Sequence, residues 1–167
     1  EGTAFWIIRS PTISLRDFLW SKFWTGHVPL LVFIEGLTIT ANEFMGIDPF
    51  LKVVAAVGVA FMTVALVGLA VGLGARYPRF GADPTQAAGS YGGVAFMVQA
   101  VLFVLVMVAL VGWPSSLYLL RLIRRRPSTT IQEVLMVMSF GSAAVLSLAT
   151  WILSMRAGVR ALQRMGE

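Results

Sequence analysis

The sequence predicts an all-α integral membrane fold: about four transmembrane helices preceded by an interfacial amphipathic elbow. Three observations predict it. Hydrophobic residues make up 57% of the 167 and charged residues 13%, whereas an ordinary soluble domain carries about a quarter charged. Four apolar stretches approach the roughly 20 residues that cross a bilayer as helix. The opening "SPTISLRDFLWSKFWTG" at 10–26 interleaves aromatic rings with charges and runs straight into apolar sequence.

The formal charge of +5 comes from a few Arg and Lys clusters set between apolar blocks. A nucleic-acid interface needs a dense basic footprint, so a nucleic-acid partner is not expected and the lipid bilayer is. There is no cysteine, which excludes a disulfide or thiolate metal site. The chain opens on Glu1, and its first apolar run is too short and too aromatic for a signal peptide. The expectation is a piece of a longer polypeptide, whose other part could contain further spans.

The elbow is expected over residues 1–24. "TAFWIIR" at 3–9 is a short apolar run broken by Ser10-Pro11. Ser14 followed three residues later by Asp17 resembles a capping box and starts a helix there. From that point Leu15, Phe18, Leu19 and Phe23 fall near one face, while Arg16 and Asp17 lean away. Two short amphipathic pieces joined at a proline would hug the membrane surface. They would serve as an ordinary anchor or as a surface on which another protein pushes, and would feed the first span after a bend near Pro29.

The helical domain is expected over 25–155, with spans near 24–42, 50–75, 92–120 and 134–155, then a tail over 156–167. The first span is the least apolar and contains His27, Pro29 and Glu35. An ionisable group inside a span is costly and often functional. Glu35 would pair with a polar group such as Gln99 or Asn42, or bind a proton or cation, and Glu35 with Gln99 forms the candidate intramembrane polar site. His27 reads as an interfacial polar residue that cannot alone form a metal site. In the second span Gly68 and Gly72 form a G-x-x-x-G pair, the kind of small-residue face on which membrane helices approach closely. Gly58 and Gly74 lie nearby, and Gly141, Ser142, Ala143 and Ala144 offer a similar face in the last span. Between spans two and three, "RYPRFGADPTQAAGSYGG" at 76–93 is a turn region in which Asp83 could cap a brief surface helix.

Aromatic residues sit near span ends: Trp20, Trp24, Phe44, Phe50, Tyr77, Tyr91, Trp113, Tyr118 and Trp151. Rings at headgroup depth form the expected belt. With the start cytoplasmic, the inner segments hold Arg9, Arg16, Lys22, Arg76, Arg79, Arg156, Arg160 and Arg164. The outer ones hold Lys52, Arg121, Arg124, Arg125 and Arg126. The balance favours this orientation, although "RLIRRRPS" at 121–128 runs against it: either the run lies outside, or the span count between 92 and 155 is wrong.

No catalytic residue, cofactor site or metal site is expected. The chain has neither H-E-x-x-H nor G-x-S-x-G. "GLAVGLG" at 68–74 lacks the lysine and the Ser or Thr of a phosphate-binding loop.

"EGTAFW" (Glu1 to Trp6), "RSPTIS" (Arg9 to Ser14), "WSKFW" (Trp20 to Trp24) and "VGLGARYPRF" (Val71 to Phe80) together resemble bacterial ABC exporter permeases of the ABC-2-like type. The likeness covers most of the chain and corresponds to a C-terminal transmembrane portion. Pro11 stands one place earlier than in the family's pattern, which would alter the elbow slightly. The resemblance implies a permease that moves a substrate by alternating access, driven by a separate ATP-binding subunit. ATP and magnesium would sit on that partner, and this chain would not itself be an enzyme. It also implies a contact surface for the partner on the elbow and the 77–90 loop, with Arg16, Asp17, Trp20, Arg79 and Asp83 as candidates. A second permease copy or further N-terminal spans would complete the assembly in the bacterial inner membrane. Two other functions fit the residues: a non-transporting membrane scaffold or assembly subunit, and a proton-coupled secondary carrier using Glu35.

Overall fold

A computed structural model describes residues 14–77, 90–124 and 130–164. Four helices, each long and apolar enough to span a membrane, make up nearly all of this, with no strand among the described residues. They are α1 (Leu15–Phe44), α2 (Pro49–Arg76), α3 (Tyr91–Arg124) and α4 (Thr130–Arg164).

Local chemistry sets the ends of these helices. Ser14 is the N-cap of α1: its Oγ accepts from the Asp17 N–H at 3.0 Å, and its hydroxyl donates to the Asp17 carboxylate. That carboxylate in the first turn also suits the positive end of the helix dipole. The helix runs unbroken from Leu15 through Pro29 to Phe44. Pro29 forfeits one backbone bond, a loss that membrane helices tolerate where neighbouring groups take up the freed carbonyl. In its described part, 14–24, the expected elbow is therefore the first turns of α1. Its upstream piece lies outside the described residues, as do Arg79 and Asp83.

The chain leaves α1 through a Schellman turn. Gly46 adopts φ of +60°, Gly46 N–H donates to Glu43 O at 3.1 Å, and Ile47 N–H donates to Asn42 O at 3.2 Å. Asp48 then caps α2 by accepting from the Phe50 N–H at 3.1 Å, with Pro49 in the first turn, where a missing N–H leaves no bond unmade. Asp48 Oδ2 also accepts from the Tyr118 hydroxyl at 2.9 Å, and Lys52 Nζ bridges back to Glu43 at 2.7 Å. The turn is thus tied to the far end of α3. Asp48→Ala removes both the cap and the acceptor, whereas Tyr118→Phe removes only the inter-helix bond. We expect the first to cost about 1 kcal/mol through the cap alone and to lower the thermal midpoint in detergent more than the second. Equal midpoints would show that the turn is held by packing instead.

The helices alternate in direction. Gly92 lies against Tyr77 at one end of the bundle, and Arg121 donates to Gln132 at the other. Helices α2 and α4 consequently run parallel and form the most extensive helix interface. On one side α1 packs against both, through buried Leu19, Phe23, Val67, Met155 and Leu162. On the other side α3 does so through Ala65, Phe103, Met107 and Ala143. The periphery is apolar: Val32, Phe33, Leu105, Val137 and Val145 are all more than half exposed. Such a surface would not survive in water and matches a lipid surround. Helix α3 ends at Arg124 and α4 begins at Thr130, so the span count stands. Arg121 and Arg124 therefore lie at the end opposite Arg16, Arg76 and Arg156.

Candidate functional site

At the bundle end shared by Leu15, Arg76, Tyr91 and Arg164, α1 presents two faces. Leu19 and Phe23 are each 2% exposed, and Leu15 and Phe18 pack against the same cluster. Arg16 and Asp17 are exposed, and so is Trp20, although its ring also reaches Phe23 and Trp151. The inward face meets protein, namely Val67 on α2 and Met155 and Leu162 on α4. Phe23 is ringed by Trp24 at 5.6 Å, Trp20 at 5.9 Å, Trp151 at 5.7 Å and His27 at 5.1 Å between ring centroids.

Two residues differ from their sequence reading here. His27 is 5% exposed and stacks on Phe23 with 13° between ring planes; it is an interior residue, because it follows Phe23 by one turn on the buried face. Trp151 packs beside Trp20 and Phe23 within the bundle, because α4 continues to Arg164. Trp20, Trp24, Phe44, Phe50, Tyr91 and Trp113 are exposed.

Below this cluster the α2 and α4 backbones touch. A Cβ built on Gly72 would stand 2.3 Å from Ser154 O, and one on Gly158 would stand 3.1 Å from Gly72 Cα. Gly68 faces Trp151 in the same way. The Gly68–Gly72 pair is thus a helix contact within one chain. Its partner glycine, Gly158, falls in the segment expected as a tail, of which residues 156–164 continue α4 as helix. Met155, Val159 and Leu162 at i, i+4 and i+7 are the signal that the helix continues there, with Arg156, Arg160 and Arg164 exposed on the other side. In the expected small face of α4, Ala143 is buried while Gly141 has nothing within 4 Å.

Glu35 and Gln99 are not brought together. Gly26 lies against Val67, so antiparallel register sets Glu35 level with Gly58, whereas Tyr77 against Gly92 sets Gln99 level with residue 70 of α2. At 1.5 Å per residue they are about 20 Å apart along the bundle. Glu35 is half-buried on α1, and its Oε2 is buried without a hydrogen-bond partner. With His27, Thr38 and Asn42 it forms a polar line down the inward side of that helix. Gln99 instead lines a pocket with Arg76 and Ser154. A separate cavity of about 230 Å³ between α2, α3 and α4 is walled by Phe50, Val57, Gly58, Met107, Phe140 and Ala144; it has no polar group to orient a ligand.

"GLAVGLG" is helical and lies inside α2; a phosphate-binding loop follows a strand and opens a helix. These features define a multi-pass membrane protein built as a bundle of four apolar helices. The family described as "Putative ATP-binding cassette" matches residues 1–166, and the chain belongs to that family of ABC-transporter membrane proteins. No curated protein and no solved structure matches it.

Proposed function

We propose that this chain is the transmembrane permease portion of an ATP-driven ABC exporter in the bacterial inner membrane. A separate ATP-binding subunit carries ATP and magnesium and drives alternating access for the substrate. A second permease copy or further spans complete the pathway. The supporting observation is the two-faced start of α1. Arg16, Asp17 and Trp20 are exposed on a helix whose opposite face is locked, through Leu19 and Phe23, onto the α2–α4 crossing. A push on the outer face is passed to two further spans because packed interiors shift as units and do not deform smoothly.

The test begins with the tagged full-length protein captured from its native membrane, followed by ATPase assay of what accompanies it. A stoichiometric ATP-binding subunit is expected. Arg16→Ala and Asp17→Ala should each uncouple hydrolysis from transport while the protein stays inserted; unchanged coupling in both variants refutes the assignment. The unpartnered Oε2 of Glu35 supports a second reading, a proton-coupled carrier. In the same assay that reading requires transport without ATP and its loss in Glu35→Gln.

A further inference from the structure

The pocket that holds Gln99 is unlike the rest of the apolar periphery. It has a volume of about 180 Å³ and lies where α2, α3 and α4 meet, with Arg76, Gln99 and Ser154 contributed by one helix each. Gly72, Leu73, Leu153 and Ala157 complete the lining. Among the described residues none of the three polar side chains has a hydrogen-bond or ion-pair partner. The Arg76 guanidinium rests only over the Tyr77 ring, 5.7 Å from its centroid. Arg76 and Gln99 are both exposed at this pocket, and a membrane helix does not turn a glutamine toward lipid without cost, so these donors are open to a ligand that supplies acceptors.

Those donors also have an order in depth. Arg76 ends α2 at the level of Tyr77 and Tyr91, whose rings meet at 5.2 Å, as headgroup-depth aromatics do. Gln99 is eight residues into α3, about 12 Å deeper. Ser154 approaches from α4 beside Gly72, and without a glycine there the two helices could not come close enough to frame the pocket. Gln99 and Leu153 are exposed, so the pocket opens sideways toward lipid. No acidic residue lines it among the described residues.

We propose that this pocket binds one anionic phospholipid. The phosphate sits on the Arg76 guanidinium, the glycerol ester oxygens accept from the Gln99 amide and the Ser154 hydroxyl, and the acyl chains leave along Leu153. A donor-only set graded from a cation at the surface to neutral amide and hydroxyl groups below is complementary to such an amphiphile. A soluble phosphate ester would use only the arginine and leave the deeper donors unmet. The site does not depend on the ATP-driven reading: lipid binding requires no motor subunit, and failure of either leaves the other standing.

The test is native mass spectrometry of the full chain in detergent, titrated with phosphatidylglycerol, phosphatidylcholine or glycerol 3-phosphate. One phosphatidylglycerol should be retained. Arg76→Ala and Gln99→Leu should each weaken its retention roughly tenfold, the scale of a lost hydrogen bond to a charged or buried group, and Arg76→Lys should restore part of it. Arg164→Ala makes the same charge change at the same end and should leave retention unaltered. Three results overturn the proposal: equal retention in wild type and Arg76→Ala, equal loss in Arg164→Ala, or displacement of the lipid by glycerol 3-phosphate at matched concentration. The first two mean no built site or general surface charge, and the third a site for soluble phosphate esters.

Discussion

Alanine at Gly72 is expected to force the central helix pair apart. Its Cβ would lie 2.3 Å from Ser154 O and 2.6 Å from Ser154 C. Both are backbone atoms, so no rotamer change relieves the clash and a helix must move by about 1 Å. In lipid, helices gain nothing from leaving water and are held by close contact. A gap of that size forfeits a quarter to a half of each contact's attraction, and the loss reaches Leu19 and Gly158, which meet at the same crossing. We expect destabilisation of about 1–3 kcal/mol, the usual range for overpacking. Gly74→Ala, two residues on, finds nothing within 4 Å and should be neutral or slightly stabilising, since alanine favours helix. Gly68→Ala should fall between, because the atom it meets most closely is Cδ1 of the Trp151 side chain. Thermal unfolding of the three variants in one detergent checks the order; a Gly74→Ala midpoint at or below that of Gly72→Ala would remove the crossing from Gly72.

The number of spans and the inward side of α1 are legible because both are written in local pattern. Apolar runs of bilayer length stand out in any sequence, and Leu15, Phe18, Leu19 and Phe23 recur at helical spacing. The Ser14–Asp17 cap is legible for the same reason, since it needs residues three apart. What hydropathy does not mark is where a helix ends once it leaves the apolar layer. Helix α4 keeps its register past Met155 because Gly158 and Leu162 still have α1 to pack on, and that contact joins residues far apart in sequence. Pairing across the bundle is illegible too. Glu35 and Gln99 look like partners when only spans are known, but neighbour order and register set them at different depths. The arginine that does share a pocket with Gln99 is Arg76, which reads in the sequence only as one more interfacial charge.

The second large effect is expected from Phe23→Ala. In a water-soluble core the change would cost about 3–5 kcal/mol. In a bilayer the transfer part of that figure shrinks, because the alternative surroundings are equally apolar. What remains is the empty volume among Trp20, Trp24, His27 and Trp151, and the ring–ring attraction that Phe23 supplies there, about 0.5–1.5 kcal/mol for each pair. Phe44, 88% exposed at the other end of α1, meets no such cluster, and Phe44→Ala should leave the thermal midpoint unchanged. The same substitution separates docking from transmission. Phe23→Ala removes the ring on which Trp20 stacks but leaves the exposed charges of Arg16 and Asp17 untouched, so an ATP-binding partner should still co-purify. Yet the helix that receives its push would no longer be seated on α2 and α4, and transport per ATP hydrolysed should fall, with Phe23→Leu intermediate. If transport holds while the midpoint drops, the aromatic cluster only stabilises the bundle, and force must enter the spans by another route. If the partner is lost as well, the inner face orders the docking surface, and the two faces of α1 cannot be treated as independent parts.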